Sequence, residues 1–403
     1  MTSEILILTP SAVALAADSA VTIGNRKTYN GVNKLFMLSN DPPMGIMTYN
    51  LSDFSNIPLE TIIKEFRKYI KNESFQLNNV TEFKNKFKEF LEKIVDDEFY
   101  TYSFEDKLNG FTNPLIENLG DIDKNDFLNA LNSIPTDWGY DIFEEFSEDI
   151  IKNLDSYDEK FIDAIPDYDQ WENKEEILNK FKRFFVFNEF ITSFTGIVIA
   201  GFNKNRLFPS YIEFNINYLY DDNFILKDVK QLDIVGNLVH VRPLAQDDVI
   251  NTFLTSIDKD TELELTSYVY KFYEDYTNKL KEAINSNSNL NADEKIKFLN
   301  EVSKIESVND DLGKLFEKVI NQLKDNHSNH LLESISVLPK EELSNLAESL
   351  INITSLKRKV DSNLETVGGD IDVAIITKGD GFIWTKRKHY FDADLNPQFF
   401  KRD

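Results

Sequence analysis

The sequence predicts an α+β fold, and three observations carry that prediction. Apolar runs of strand length stand near the start, around residue 200 and near the end of the chain. Amphipathic stretches with helical spacing fill the intervals between them. At 403 residues the chain is long enough for one elaborated domain or two or three modest ones, each with a buried core.

Ile5 to Leu8 and Ala12 to Ala17 are apolar runs joined by Thr9-Pro10-Ser11, which is turn chemistry, so two buried strands are expected. Gly24-Asn25 and Asn30-Gly31 mark further turns before strand character resumes at Lys34 to Leu38 and Gly45 to Tyr49. Asp18 and Lys34 therefore fall at strand ends. From Leu59 the period becomes helical, with Ile62, Ile63, Phe66 and Ile70 on one face; Thr81 is the expected cap for a second helix carrying Phe83, Phe87, Phe90, Leu91 and Ile94. Asp96 to Asn188 is acidic and aromatic, broken at Pro114, Pro135 and Pro166, and reads as short helices and loops.

Strand signals return at Gly196 to Gly201 and at Ser210 to Ile216, where Ile212, Phe214 and Ile216 alternate with Glu213 and Asn215; Leu232 to Val241 is expected to continue the same sheet. Asp247 opens a helix with Val249, Ile250, Phe253, Leu254 and Ile257 on its face. Thr261 to Ile284 and Ala292 to Leu323 are long charge-rich helical stretches separated by Asn285 to Asn291. The aromatic helices from Phe83 to Phe90 and from Tyr268 to Tyr276 read as packing faces, within the chain or towards neighbouring subunits. Pro339 opens a last helix that buries Leu343, Leu346, Ala347, Leu350 and Ile351. Gly368-Gly369 leads into Ile371 to Thr377, the turn Lys378 to Gly381 and Phe382-Ile383-Trp384, a β-hairpin.

Composition excludes several functions. The formal charge of -25 repels phosphate backbones and anionic membranes, so neither nucleic acid nor a membrane is expected as a partner. Cysteine is absent, which removes disulfides, thiolate metal sites and cysteine nucleophiles and fits a reducing cytoplasm. There is no run of about 20 apolar residues and no signal-peptide pattern at the start. Four histidines are too scattered for a zinc motif; His327 and His330 have ligand spacing but read as a solvated helix face, so no metal or cofactor is expected. No nucleophile elbow, P-loop or dinucleotide fingerprint occurs.

The informative pattern is at the start. Thr2, Asp18 and Lys34 stand sixteen residues apart, with small residues leading to the aspartate. Here Ala12 to Ser19 and Asn33 to Phe36 resemble the proteasome β-subunit and HslV branch of the N-terminal-nucleophile (Ntn) hydrolases. The resemblance continues more loosely through Gly45 to Asn50, Ile199 to Phe202, Val367 to Asp372 and Ile375 to Gly381. It implies a four-layer αββα sandwich with large helical insertions: one domain over 1–403, its core in about 1–95, 190–260 and 338–403, with an acidic helical insertion at 96–189 and another at 261–337.

The resemblance also implies an activity, threonine-type hydrolysis of peptide amide bonds. A threonine hydroxyl needs a base to take its proton, and a free α-amine on the same residue provides one. Lys34 favours the unprotonated amine and Asp18 holds the lysine. The backbone amide of Asn50, where the family carries glycine, supplies the oxyanion donor. Threonine at position two is small enough for methionine aminopeptidase to remove Met1, so no propeptide is required. Leu364 and Val367 stand where the family has an Asp-x-x-Ser motif, leaving Asp361, Ser362, Glu365 or Thr366 as substitutes, and Ala245-Gln246-Asp247-Asp248 replaces a serine before a helix. The implied partners are a peptide or protein substrate, further copies of the chain in an oligomer or ring, and a partner unfoldase. The alternatives are an Ntn amidohydrolase acting on a small amide, and a catalytically silent assembly subunit. Without that chemistry, Asp18 and Lys34 would form a salt bridge between strand ends.

Overall fold

Thr9 reverses the chain after the first strand through its own hydroxyl: its amide donates to the Ala12 carbonyl at 2.9 Å, and the Ala12 amide donates back to Thr9 Oγ1 at 3.1 Å. The computed structural model describes residues 3–23, 27–54, 57–73, 75–97, 104–117, 123–132, 154–188, 194–220, 223–306, 309–361, 368–392 and 394–396. The turn joins β1 (Ser3–Leu8) to β2 (Val13–Ala17) with Leu6 opposite Leu15. The hairpin β3 (Ala20–Ile23) and β4 (Lys27–Asn30) follows, then β5 (Leu35–Asn40), β6 (Pro43–Asn50) and the short pair β7 (Asp53–Phe54) and β8 (Ile57–Pro58).

Helices α1 (Leu59–Asn72) and α2 (Val80–Asp97) come next, and then α3 (Phe104–Glu117), α4 (Lys124–Asn132), α5 (Asp158–Asp163) and α6 (Lys174–Val186). Strands β9 (Thr195–Phe202), β10 (Pro209–Tyr220), β11 (Asn223–Asp233) and β12 (His240–Ala245) precede α7 (Asp248–Thr255). The chain then runs through α8 (Lys259–Ser286), α9 (Ala292–Glu306), α10 (Asn309–Ser336) and α11 (Lys340–Asp361) to the closing hairpin, β13 (Asp372–Thr377) and β14 (Gly381–Lys386).

Two antiparallel five-stranded sheets result, ordered β12-β1-β2-β13-β14 and β11-β10-β9-β6-β5. Strand alternation gives each sheet two apolar faces. Leu6, Leu8, Val13 and Leu15 of the first sheet meet Met47, Val198, Ala200 and Tyr211 of the second. On the reverse of the first sheet, Ile5, Ile7, Ala14 and Ala16 pack on Ile250 of α7 and on Leu343, Ala347, Leu350 and Ile351 of α11. On the reverse of the second, Ile46, Ile197, Ile199, Ile212 and Phe214 pack on Ile62, Ile63 and Phe66 of α1 and on Phe83, Phe87 and Leu91 of α2. Each large apolar side chain buried here contributes roughly 1.5–3 kcal/mol relative to exposure. The segment from α3 to α6 has a cluster of its own, built on Leu108, Phe127, Leu131, Phe161, Phe181 and Phe185.

Several local expectations need correction. Leu232 to Val241 does not continue one sheet: β11 ends the second sheet, and β12 crosses to pair with β1 in the first. The turn at Gly236, with φ of 62°, makes that crossing. The cap of α2 is Asn79, whose side chain accepts from the Glu82 amide at 3.0 Å while Glu82 accepts from the Asn78 amide at 2.8 Å. Pro114 lies within α3 and does not break it, because Leu108 and Leu115 on either side are held in the α3–α6 cluster. Ala292 to Leu323 is divided between α9 and α10. Among the described residues no helix is long and apolar enough to cross a membrane.

Candidate active site

β2 ends in register with Glu4 of β1 on one side and Asp372 of β13 on the other, so the following residue, Asp18, stands at the end of the central three strands. Its carboxylate is engaged from both neighbours. Oδ1 accepts from the Ser3 amide at 3.1 Å, and Oδ2 accepts from the Gly368 amide at 3.0 Å. The Asp18 amide in turn donates to the Ser3 carbonyl at 3.1 Å. Gly369, at φ of 76°, needs to be glycine: a Cβ there would come within 2.3 Å of Ser19 Oγ.

Lys34 reaches the same carboxylate from the head of β5 in the opposite sheet, its Nζ donating to Asp18 Oδ1. Its carbonyl accepts from the Thr48 amide at 2.9 Å, which fixes the backbone beneath the side chain. The sequence spacing thus does bring Asp18 and Lys34 together, and both are buried. The two do form a salt bridge at strand ends, and it is buried, so removing one partner would leave a desolvated charge, a cost of several kcal/mol.

Sequence reasoning missed Glu4. Its carboxylate is fully buried, with Oε1 3.2 Å from Lys34 Nζ. Among the described residues, two carboxylates therefore flank one ammonium. The signal was strand parity: Glu4 shares a face with Leu6 and Leu8, and a charge on an otherwise apolar inward face calls for a buried partner.

Thr2 lies outside the described residues, as do Ser362, Glu365 and Thr366 of the substitutes for the Asp-x-x-Ser motif, while Asp361 is the last residue of α11. The nitrogen that attaches residue 3 to Thr2 is the Ser3 amide held by Asp18. Ala245 stands opposite Ser3 in register, in a left-handed conformation with φ of 61°. Asn50, the last residue of β6, is exposed and also left-handed, with φ of 69°, a conformation that asparagine tolerates better than most residues. Its Nδ2 donates to the Phe194 carbonyl at 2.8 Å. A cavity of about 250 Å³ lies between these elements, lined by Val32, Lys34, Thr48, Tyr49, Asn50 and Leu59 among others.

A second ionic cluster occupies the same inter-sheet layer. Glu213 of β10 accepts two hydrogen bonds from Arg242 of β12, each 2.9 Å, and one from the Tyr49 hydroxyl at 2.8 Å. Those bonds hold the Arg242 guanidinium above its usual value. Burial, reinforced by Glu213, pushes the Tyr49 and Tyr211 phenols upward. His240 stacks on Tyr211, with Nε2 3.0 Å from the hydroxyl, and burial together with Lys230 and Arg242 lowers it to about 4. His327 faces the Phe253 carbonyl, and among the described residues no group of three or more metal-ligating side chains is assembled.

No family model and no curated protein matches the sequence. Among solved structures, Anbu (ancestral beta-subunit) from Yersinia bercovieri is similar with a TM-score of 0.32 and 9% identity, over 99% of this chain and 93% of that chain. At that level the likeness decides nothing about fold or chemistry.

Proposed function

We propose that the chain is a proteasome-like threonine hydrolase that cleaves peptide amide bonds through Thr2, exposed by removal of Met1. The observation that carries the reading is the buried contact of Lys34 with Asp18, on the same carboxylate oxygen that accepts the Ser3 amide. A desolvated cation is thereby held at the peptide bond that attaches residue 2. The facing sheets, with helices against both outer faces, support the four-layer αββα arrangement of Ntn hydrolases.

In this reading the Thr2 hydroxyl oxygen bonds to the scissile carbonyl carbon while its proton passes to the α-amine of the same residue. The C–N bond then breaks and the leaving amine takes that proton, leaving an ester on Thr2. Water, deprotonated by the same amine, hydrolyses the ester. Lys34 favours the unprotonated amine, Asp18 positions Lys34, and the Asn50 amide stabilises the oxyanion. The left-handed backbone at Asn50 supports that assignment, since it is a conformation glycine also adopts freely. The neighbouring cavity has room for one substrate side chain. A cytoplasmic ring of copies enclosing the sites, fed by an unfoldase, belongs to the same reading.

A second reading, a catalytically silent assembly subunit, is favoured by Glu4, whose charge stabilises a protonated amine and so opposes Lys34. Intact mass spectrometry with an epoxyketone or β-lactone separates the two. The hydrolase reading expects loss of Met1 and a single adduct on Thr2, absent in Thr2→Ala and slowed about 100-fold or more in Lys34→Ala. Retained Met1, or no adduct on folded protein lacking Met1, would favour the silent subunit.

A further inference from the structure

Helix α1 carries Lys64, Arg67, Lys68 and Lys71 on one face, a row of cations along about 10 Å of helix. On a chain of formal charge -25 this is a local reversal of sign. The row lines a cavity of about 830 Å³, bounded also by Met37 to Asp41 of the edge strand β5 and the residue after it, and by Phe75 and Leu77 ahead of α2. Two carboxylates reach the same cavity, Asp41 and Glu65, and Glu65 is taken by Lys68 at 2.6 Å. Lys64 pairs with Glu60 one turn earlier on the helix. Among the described residues the Arg67 guanidinium and the Lys71 ammonium have no hydrogen-bond or ion-pair partner. Arg67 is half-buried, and burial together with the charge of Arg387 lowers it from its ordinary value. Arg387 in turn lies over the Trp384 ring, 4.2 Å from its centre. A guanidinium that is partly desolvated, unpaired and near a second guanidinium destabilises the ligand-free chain, and an arriving anion relieves that cost.

We propose that this cavity binds an anion carrying a short chain of phosphate groups. A row of cations two turns long matches several negative charges in line, which a single carboxylate lacks and a triphosphate has. Arg67 offers a planar fork to two phosphate oxygens at once, and Lys64, Lys68 and Lys71 act beside it as point charges. The pairs of Lys64 with Glu60 and of Lys68 with Glu65 join neighbours on the helix surface, so each is worth little and both lysines can turn to the ligand. Met37, Ile70, Phe75 and Leu77 add a partly exposed apolar wall, with room for an uncharged body joined to the phosphates. A free polyphosphate and a nucleoside triphosphate share the chemistry that the cations recognise, and differ in whether they use that wall. The proposal is independent of the hydrolase reading.

Isothermal titration calorimetry on the full chain provides the test, with tripolyphosphate, ATP free of divalent metal, and a pentaglutamate peptide, all at one ionic strength. Tripolyphosphate and ATP should each bind at one site per chain, in wild type and in Thr2→Ala alike, and pentaglutamate at least tenfold more weakly. Tighter binding of ATP than of tripolyphosphate would identify the nucleotide as the source, and equal binding the phosphate chain alone. Arg67→Gln and Lys71→Gln should each weaken binding about tenfold or more, the loss of one charged hydrogen bond. Lys71 is exposed and unpaired, so its variant keeps the fold. Without ligand, Arg67→Gln should melt no lower than wild type, since it removes a partly desolvated charge, whereas a structural arginine would lower the melt. Lys318→Gln, exposed on α10, should bind as wild type does. No binding by wild type, binding indifferent to both Arg67→Gln and Lys71→Gln, or pentaglutamate bound as tightly as tripolyphosphate would overturn the proposal.

Discussion

Two ionic clusters lie between the same two sheets, and they are built differently. At Glu213 one carboxylate meets one guanidinium in a bidentate pair, and Tyr49 supplies a further donor. The charges balance and the planar fork fits the carboxylate, so this cluster ties the sheets together. At Lys34 one ammonium meets two carboxylates, Asp18 and Glu4, among the described residues, with no bidentate geometry. The bidentate pair marks a structural joint, whereas at Lys34 a single ammonium is shared between two carboxylates.

The contrast can be broken by mutation. Arg242→Met should cost about 3 kcal/mol of stability in chemical denaturation, since it leaves Glu213 desolvated, while the rate of adduct formation at Thr2 barely changes. If stability were unaffected, the joint would be dispensable and the comparison would lose its structural arm. Glu4→Gln sharpens the other arm. Removing the charge that opposes Lys34 should raise the rate of adduct formation near neutral pH by roughly tenfold, with the pH–rate curve displaced to lower pH. A rate unchanged across the whole pH range would show that Glu4 carries no charge felt at the site.

The smallest effect is expected at His240. Its lowered value means that the folded chain binds fewer protons than the unfolded chain between the ordinary 6.5 and about 4. Stability should therefore fall as the pH drops through that window, by roughly 1 kcal/mol once solvent screening of a half-buried ring is allowed for. His240→Phe should flatten that part of the profile in thermal melts. A wild-type curve already flat from 6.5 to 4 would contradict the burial argument.

Much of this was legible in advance at particular positions. The Thr9 turn, the faces of α1 and α2, the burial of Leu343 to Ile351 and the closing hairpin all follow from local chemistry and periodicity. The sixteen-residue spacing brought Asp18 and Lys34 to one point, because each strand end lies where its sheet faces the other. Glu4 is not legible in the same way, because the apolar run begins at Ile5 while β1 begins at Ser3, and only the longer strand puts Glu4 on the face of Leu6. The switch of β12 to the first sheet escaped as well, since a turn at Gly236 is compatible with either sheet. Tyr268, Phe272 and Tyr276 of α8 are exposed, and periodicity alone does not distinguish a face that packs within the chain from one turned towards a neighbouring subunit.

By itself the sequence determined where strands and helices run, which side chains share a face, and that a lysine and an aspartate fall at strand ends. Periodicity reports the partition of residues between faces, and that is a local property of the backbone. Only the tertiary structure decided what covers each face. It turned the polar side of β10 inward, so that Glu213 meets Arg242 rather than solvent, and it left the aromatic side of α8 outside. Burial of a face depends on contacts between residues far apart in the chain, and no short window of sequence contains them.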